Sequence, residues 1–216
     1  AHPGLALVSA SSRSKAGQRL GDVVPALAGF SELNVTAPNM KAIAKADVVF
    51  IATPHGVSKT LVPELEAYGA RCIVDMSADH RHAPGWVYAQ PEWNGEDIQT
   101  ATKLAIPGCF ATAMGLALAP VAQARQIRGP VCVSGVTGST GSGAEPKAAT
   151  HHPERFTNLK AYKVLAHQHI PELKAFLGQW AEPPEIHFVP HSGPFDRGIF
   201  VTCFIPCDSG LDGKAL

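Results

Sequence analysis

A chain of 216 residues, 45% hydrophobic and 17% charged, is long enough for one large buried core or two small ones. Its 18 basic and 18 acidic residues cancel, so no strong field recruits nucleic acid or an anionic membrane surface. No apolar run reaches membrane-spanning length and no secretory signal is present, and the five cysteines, an odd number mostly in apolar strand-like runs, read as reduced thiols of a cytoplasmic protein.

The opening stretch AHPGLALVSAS reads as the end of a helix and a short apolar strand over 5–10, followed by polar turns over 11–21. There is no initiator Met, and the last strand runs into a Gly-Lys-Ala-Leu loop at 213–216, so the sequence reads as the interior of a longer protein. Residues 48–52 form a continuous apolar run rich in β-branched side chains, the pattern of a strand buried on both faces. The turn Thr53-Pro54-His55-Gly56 leads to a helix over 57–68, stopped by Gly69, and then to a buried strand over 71–74. Strand, helix and strand with short apolar runs imply a parallel sheet with crossover helices.

Residues 80–97, with Pro84, Gly85, Pro91, Asn94 and Gly95, read as loop, and 103–106 as one more short strand. The run LAIPGCFATAMGLALAP follows. It breaks at Pro107-Gly108 and continues with apolar residues at Phe110, Ala113, Met114, Ala117, Leu118 and Val121, which is helical spacing. Beyond it come a strand over 131–133, a Gly/Ser/Thr loop reaching Pro146, and strands over 159–164 and 185–189 with a helix over 171–180 between them. A final strand over 198–205 is apolar on both faces. The expected fold is α/β: a doubly wound, Rossmann-type sheet over 1–106, incomplete, then a mixed α+β domain over 107–216.

Cys109 falls at the start of the helix, among unpaired backbone N–H groups at the positive end of the dipole, where a thiolate is favoured. It reads as a nucleophile at the junction of two domains, or alternatively as a small buried residue at a tight turn. The tip of the first strand offers Ser12, Arg13 and Lys15 and no acid, a set suited to the 2′-phosphate of NADP rather than the 2′-hydroxyl of NAD. Thr53-Pro54 and Ser77 follow the C-terminal ends of parallel strands, where open α/β sheets bind ligands. The glycine-rich stretch around Gly138 reads equally as a flexible lid or as an anion-binding loop.

His167 and His169, at i and i+2, share one face if the chain is extended. One of them serving Cys109 as acid/base needs less coincidence than a metal pair, and no metal site is expected. Glu172 can orient such an imidazole, and Arg197 can clamp a carboxylate or phosphate. Each has a plainer role too, as a helix-terminal acid or an ordinary ion-pair partner.

LAIPGCFATA, continuing to ALAP at 117–120, resembles the active-site signature of the N-acetyl-γ-glutamyl-phosphate reductase family. DMSADHR at 75–81 resembles the family's D-L-S-A-D-F-R, with His80 where Phe is usual. VYAQPE at 87–92 is similar to V-Y-G-L-P-E. Ser134-Gly135 resembles the start of an S-G-x-S/T-G stretch. AYKV at 161–164, HQH at 167–169 with Gln168 replacing the commoner Arg, PE at 171–172 and VPH…RG at 189–198 fit in the same order.

The resemblance implies a fold like that of aspartate-semialdehyde and glyceraldehyde-3-phosphate dehydrogenases. It also implies an NADP-dependent reductive dephosphorylation in arginine biosynthesis, with an acyl phosphate as substrate, inorganic phosphate as product and a homo-oligomer, dimer or tetramer. Cys109 would form the thioester and His167, ahead of His169, would be the acid/base. Ser134, Thr137, Glu172 and Arg197 would contact substrate, and Ser12, Arg13, Thr53, Pro54, Ser77 and Gly138 the cofactor. Family members open on a G-x-x-G-x-x-G turn and close with a further segment, both absent here. The chain by itself is therefore expected to bind NADPH weakly and turn over little. The loop GSTGSGAEPKAATHHPERFTN resembles a subgroup in which some relatives use acyl-aminoadipyl or differently acylated substrates. Open alternatives are an N-acyl-aminoadipyl-phosphate reductase of a lysine route, a cofactor-independent Cys-His hydrolase or acyltransferase, and a non-catalytic remnant.

Overall fold

A computed structural model describes residues 2–143 and 145–208, which divide into two units, Ala1–Ile106 and Pro107–Leu216. The loop expected over 213–216 lies outside the described residues. In the first unit the elements run α1 (Leu20–Val23), α2 (Met40–Ile43), β1 (Val49–Ile51), α3 (Ser58–Ala67), β2 (Ile73–Asp75), β3 (Val87–Tyr88), α4 (Pro91–Thr100) and β4 (Lys103–Ala105). The four strands form one parallel sheet in the order β1-β2-β4-β3. Its core packs Ala44, Val62 and Leu65 against Val49, Ile51 and Ile73. This is what short apolar runs joined by crossover helices produce.

Three expectations for this unit need correction. Residues 5–10 form no strand: the parallel bridge nearby, Ser11 to Thr36, falls just beyond them, and Leu5, Leu7 and Val8 are exposed. β1 is buried at Val49 and Ile51 but exposes Phe50, so its pattern alternates and only one face is covered. The segment read as loop over 80–97 contains β3 and most of α4. Pro91 occupies the first turn of that helix, where its missing N–H costs nothing, and Asn94 absorbs a kink at φ −117°.

The C-terminal ends of β1 and β2 are tied together. Asp75 is fully buried and accepts from Ser58 Oγ (2.8 Å), Ser77 Oγ (3.0 Å) and Ser77 N–H (2.8 Å), and its Oδ2 lies 2.6 Å from His80 Nδ1. Asp79 accepts the Gly56 N–H with both oxygens (2.7 and 2.8 Å), and His55 Nδ1 accepts from the Ala78 N–H (3.0 Å). Burial pushes the Asp75 carboxyl up. The hydrogen bonds from His80, the Ser77 N–H, Ser58 and Ser77 outweigh it, so the group sits below the ordinary aspartate value. His80 also stacks on Trp86 at 4.2 Å. His80→Phe should keep that stacking, lose the Asp75 bond, and lower the urea-unfolding free energy at pH 7 by about 1–2 kcal/mol. An unchanged unfolding free energy would mean the serines alone satisfy Asp75.

The second unit runs α5 (Cys109–Gln123), β5 (Val131–Thr137), α6 (His152–Arg155), β6 (Lys160–Ala161), α7 (His169–Leu177), β7 (Ile186–Ser192) and β8 (Ile199–Phe204). Its mixed sheet has the order β6-β7-β5-β8, with β5 and β7 parallel and both outer strands antiparallel to their neighbours. The buried side of the sheet, including Val133 and Phe188, accompanies the buried stripe of α5, and Phe110 meets Phe188 edge-on at 5.0 Å. That stripe is Phe110/Ala111, Met114/Gly115, Leu118/Ala119 and Val121/Ala122; Ala113 and Ala117 fall to its side. The strand expected over 159–164 shrinks to β6. β8 alternates instead of being apolar on both faces, with Phe200 and Phe204 exposed. They lie in register with Val136 and Cys132 of β5, which pair onward with His191 and His187 of β7. This row forms the sheet face opposite the buried one.

Candidate active site

The break at Pro107-Gly108 makes Gly108 the N-cap of α5 in extended conformation (φ −68°, ψ 144°) and puts Cys109 at the first helical position, exposed to solvent. The Gly108 carbonyl starts the helix by accepting from the Thr112 N–H (2.8 Å) and hydroxyl (3.1 Å). Its N–H donates to Glu172 Oε1 at 2.7 Å, and Glu172 is a buried carboxylate in the first turn of α7. The imidazole of His169, the first residue of α7, lies on the other side of Gly108. A β-carbon at position 108 would stand 2.3 Å from His169 Nε2, so any residue but glycine would force the imidazole to move. A buried acid and a buried imidazole from one helix thus clasp the residue that precedes the thiol.

His167 is placed differently. It is 4% exposed, and Phe110, Tyr162 and Phe188 ring it at centroid distances of 5.5, 5.9 and 5.4 Å. Its Nδ1 accepts from the His169 N–H (3.2 Å), so the neutral ring carries its proton on Nε2. Burial, then the charge of Lys163, pushes its pKa down to about 4. The two histidines do not share an extended segment, because Gln168 already caps α7 with helical dihedrals. Of the two, the imidazole against the Cys109 turn is that of His169. Lys163 Nζ holds Gln168 Oε1 at 2.7 Å, and Lys163 and Leu165 both take left-handed backbone angles (φ 45° and 55°).

The other expected residues divide. Ser134 projects to the exposed sheet face, since period-two alternation sends Val133 and Gly135 the opposite way. Thr137 ends β5 and its carbonyl accepts from Arg155 at 3.3 Å. The N–H of Gly138 is taken by the Gly198 carbonyl (3.0 Å), which leaves it unavailable to an anion. Arg197 is exposed in the turn between β7 and β8. Among the described residues no group of three or more His, Cys, Asp or Glu is placed to hold a metal ion.

In the first unit Arg13 lines a cavity of about 310 Å³ together with Asn39, Lys41, Leu61, Glu64 and Tyr68. Ser12 lies beside it in sequence, with its N–H on the Thr36 carbonyl (3.0 Å) and its hydroxyl 3.5 Å from that of Ser14. Thr53, just past β1, has a buried hydroxyl oxygen with no hydrogen-bond partner among the described residues, and Pro54 is exposed next to it. Ser77 points inward, its hydroxyl engaged with Asp75 and Ser58. The residues that sequence reasoning missed are Asn39 and Lys41 at the cavity, Tyr162 against the His167 ring and Arg155 on the Thr137 carbonyl. Only Tyr162 carried a signal, as part of the AYKV run.

Residues 1–101 match the family model for the semialdehyde dehydrogenase NAD binding domain, and residues 109–216 match that for the semialdehyde dehydrogenase dimerisation domain. An N-acetyl-gamma-glutamyl-phosphate reductase of Bacillus cereus (strain B4264) is 35% identical over all of this chain, which covers 68% of that protein. The chain belongs to the N-acetyl-γ-glutamyl-phosphate reductase family. A reductase of Azobacteroides pseudotrichonymphae is 37% identical over 99% of the chain, and one of Bacteroides thetaiotaomicron 37% over 98%. The chain spans 66% of the length of each of those two. Among solved structures, aspartate semialdehyde dehydrogenase with NADP from Candida albicans aligns at a TM-score of 0.72. It is 13% identical, and the alignment covers 98% of this chain and 67% of that one. The fold expected from the resemblance, like that of an aspartate-semialdehyde dehydrogenase, is therefore the fold found.

Proposed function

We propose that the protein reduces N-acetyl-γ-glutamyl phosphate to N-acetylglutamate 5-semialdehyde for arginine biosynthesis, through a thioester on Cys109. The observation that carries this reading is the clasp around Gly108, an exposed thiol at a helix N-terminus with the His169 imidazole and the Glu172 carboxylate fixed beside it. The Cys109 sulfur attacks the acyl carbonyl, the carbonyl–phosphate bond breaks and inorganic phosphate leaves with the electron pair. His169 takes the thiol proton and, once the thioester has been reduced, returns it to the sulfur as the hemithioacetal alkoxide collapses to aldehyde and thiolate. Glu172 fixes the turn and acts as a positioning residue. His167, neutral and enclosed by rings, supports His169 through its backbone N–H.

The cofactor of this reading is NADP, which supplies hydride to the thioester when bound. The first unit suits it. Arg13 and Lys41 bring two cations to one cavity, against the single carboxylate of Glu64, which suits a 2′-phosphate, and the Thr53 hydroxyl offers a polar contact past the end of β1. For the partner we propose a second copy of the chain, seated on the sheet face bearing Phe200 and Phe204, within the segment that matches a dimerisation domain. All five cysteines are unbridged, which supports a reducing, cytoplasmic setting, and no helix among the described residues is long and apolar enough to cross a membrane.

Acylation of the chain tests this reading without asking for full turnover. Incubation with N-acetyl-γ-glutamyl phosphate should release one phosphate per acyl group, and mass spectrometry should place that group on Cys109. NADPH should then discharge it as aldehyde. Phosphate release with no acylated thiol would exclude the mechanism. Gly108→Ala should cut the acylation rate roughly 10²-fold by displacing His169, with the far-ultraviolet circular dichroism unchanged. An alanine variant as fast as wild type would remove His169 from the role.

A further inference from the structure

Arg155 is an unusual residue to find buried. It ends the short helix α6 and is 9% exposed, yet its guanidinium forms no ion pair among the described residues. The contact made is a donation to the Thr137 carbonyl at 3.3 Å, and its buried Nε has no hydrogen-bond partner. Holding an uncompensated cation out of water costs several kcal/mol, so such a group is ordinarily paired with an anion or kept to bind one. Its surroundings indicate which. Tyr162, just past β6, is half-buried with its phenol pushed up by burial and then by the charge of Cys109, while Arg155 opposes that rise. Tyr162 also meets His167 edge-on at 5.9 Å, and His167 meets Phe110, the residue after Cys109, at 5.5 Å. Geometry links Arg155 to the same place: Thr137, whose carbonyl it holds, stands two residues along β5 from Gly135, and the ring of Phe110, the residue after Cys109, packs against Gly135. The planar fork of a guanidinium matches a carboxylate or a phosphate bidentately.

We propose that Arg155 binds an anionic group, carboxylate or phosphate, of the molecule that Cys109 attacks. The assignment rests on the reductase reading for the role of Cys109 and adds a specificity determinant to it. Such a residue favours substrates with a negative charge at a fixed distance from the reacting carbonyl and selects against neutral acyl donors.

Two alkylating agents of similar size and different charge test the proposal on the chain itself. Iodoacetate carries a carboxylate and iodoacetamide does not, and the modification of Cys109 by each is followed by peptide mass spectrometry. Arg155→Gln should lower the iodoacetate rate relative to the iodoacetamide rate on the order of 10-fold, the scale of a charge-assisted hydrogen bond. The iodoacetamide rate should stay within about 2-fold on the same grounds, and Arg155→Lys should restore part of the ratio. In the wild type, inorganic phosphate and glutarate are added separately, and whichever slows iodoacetate identifies the group Arg155 accepts. That arm stands even if the glutamine variant fails to fold. An unchanged ratio in a folded Arg155→Gln, or no protection by either anion, overturns the proposal. With acylation of Cys109 still observed, the reductase reading survives that result. A Cys109 inert to both reagents sinks the two together.

Discussion

Cys109→Ser is expected to abolish acyl transfer, lowering the acylation rate by at least about 10³-fold and leaving the fold intact. The side chain is exposed at the first position of a 15-residue helix, so exchanging sulfur for oxygen disturbs no packing. Chemistry is what changes. A serine hydroxyl is scarcely ionised at neutral pH, and the backbone N–H groups at the start of α5 can bring a thiol to its anion far more readily. Phosphate release in the presence of acyl phosphate, followed by a colorimetric assay, gives the rate, and intact-mass measurement gives the occupancy of residue 109. Burst release of one equivalent from the serine variant would move the nucleophile elsewhere. The second unit holds Cys132, Cys203 and Cys207 as well, which makes peptide-level mapping the deciding measurement.

The second large effect concerns pH. His167 has its pKa lowered from an ordinary 6.5 to about 4 by burial and by Lys163. In the unfolded chain the imidazole takes up its proton as pH falls through 6.5, and in the folded chain it resists until about 4. Between those values the unfolded state binds more protons, so stability falls as pH is lowered. The loss reaches about 3 kcal/mol at the lower end of the window, since a tenfold difference in proton affinity between the two states corresponds to about 1.4 kcal/mol. Above pH 6.5 the ring is neutral in both states and contributes no pH dependence. Urea titrations at pH 7 and pH 4.5 should show this loss in the wild type and a smaller one in His167→Gln. Asp75 and Asp79, with values lowered below those of free aspartate, act only at lower pH. Equal losses in both proteins would show that the ring ionises in place.

The turn and helix start that carry Cys109 were legible because their signals are local: a Pro-Gly break, then apolar residues at helical spacing. The parallel sheet of the first unit was legible for the same reason, from short apolar runs separated by a helical one. The placement of the His167 and His169 rings was not. Spacing of two places both rings on one face only if the chain is extended, and the helix begins at His169, ahead of the proline at 171 that would ordinarily mark its start. The facing of Ser134 depends on alternation, which a glycine-rich stretch does not reveal until the strand's register is known. α4 was hidden by Pro91 and Asn94-Gly95, residues that break helices in general and are tolerated here at a first turn and a kink. Arg155 gave no sign at all, because a buried cation is defined by what surrounds it and its surroundings come from distant parts of the chain.

The bond from the Gly108 N–H to Glu172 joins residues 64 positions apart. More than half of the second unit, from α5 to the first turn of α7, lies inside that loop. The entropy of closing it is offset by the sheet and helices of the unit as a whole, so the contact depends on long-range structure. A nascent or partly folded chain consequently lacks the imidazole and carboxylate beside its helix-terminal thiol. The surroundings of this sulfur are therefore a product of the finished architecture and not of the local sequence around it.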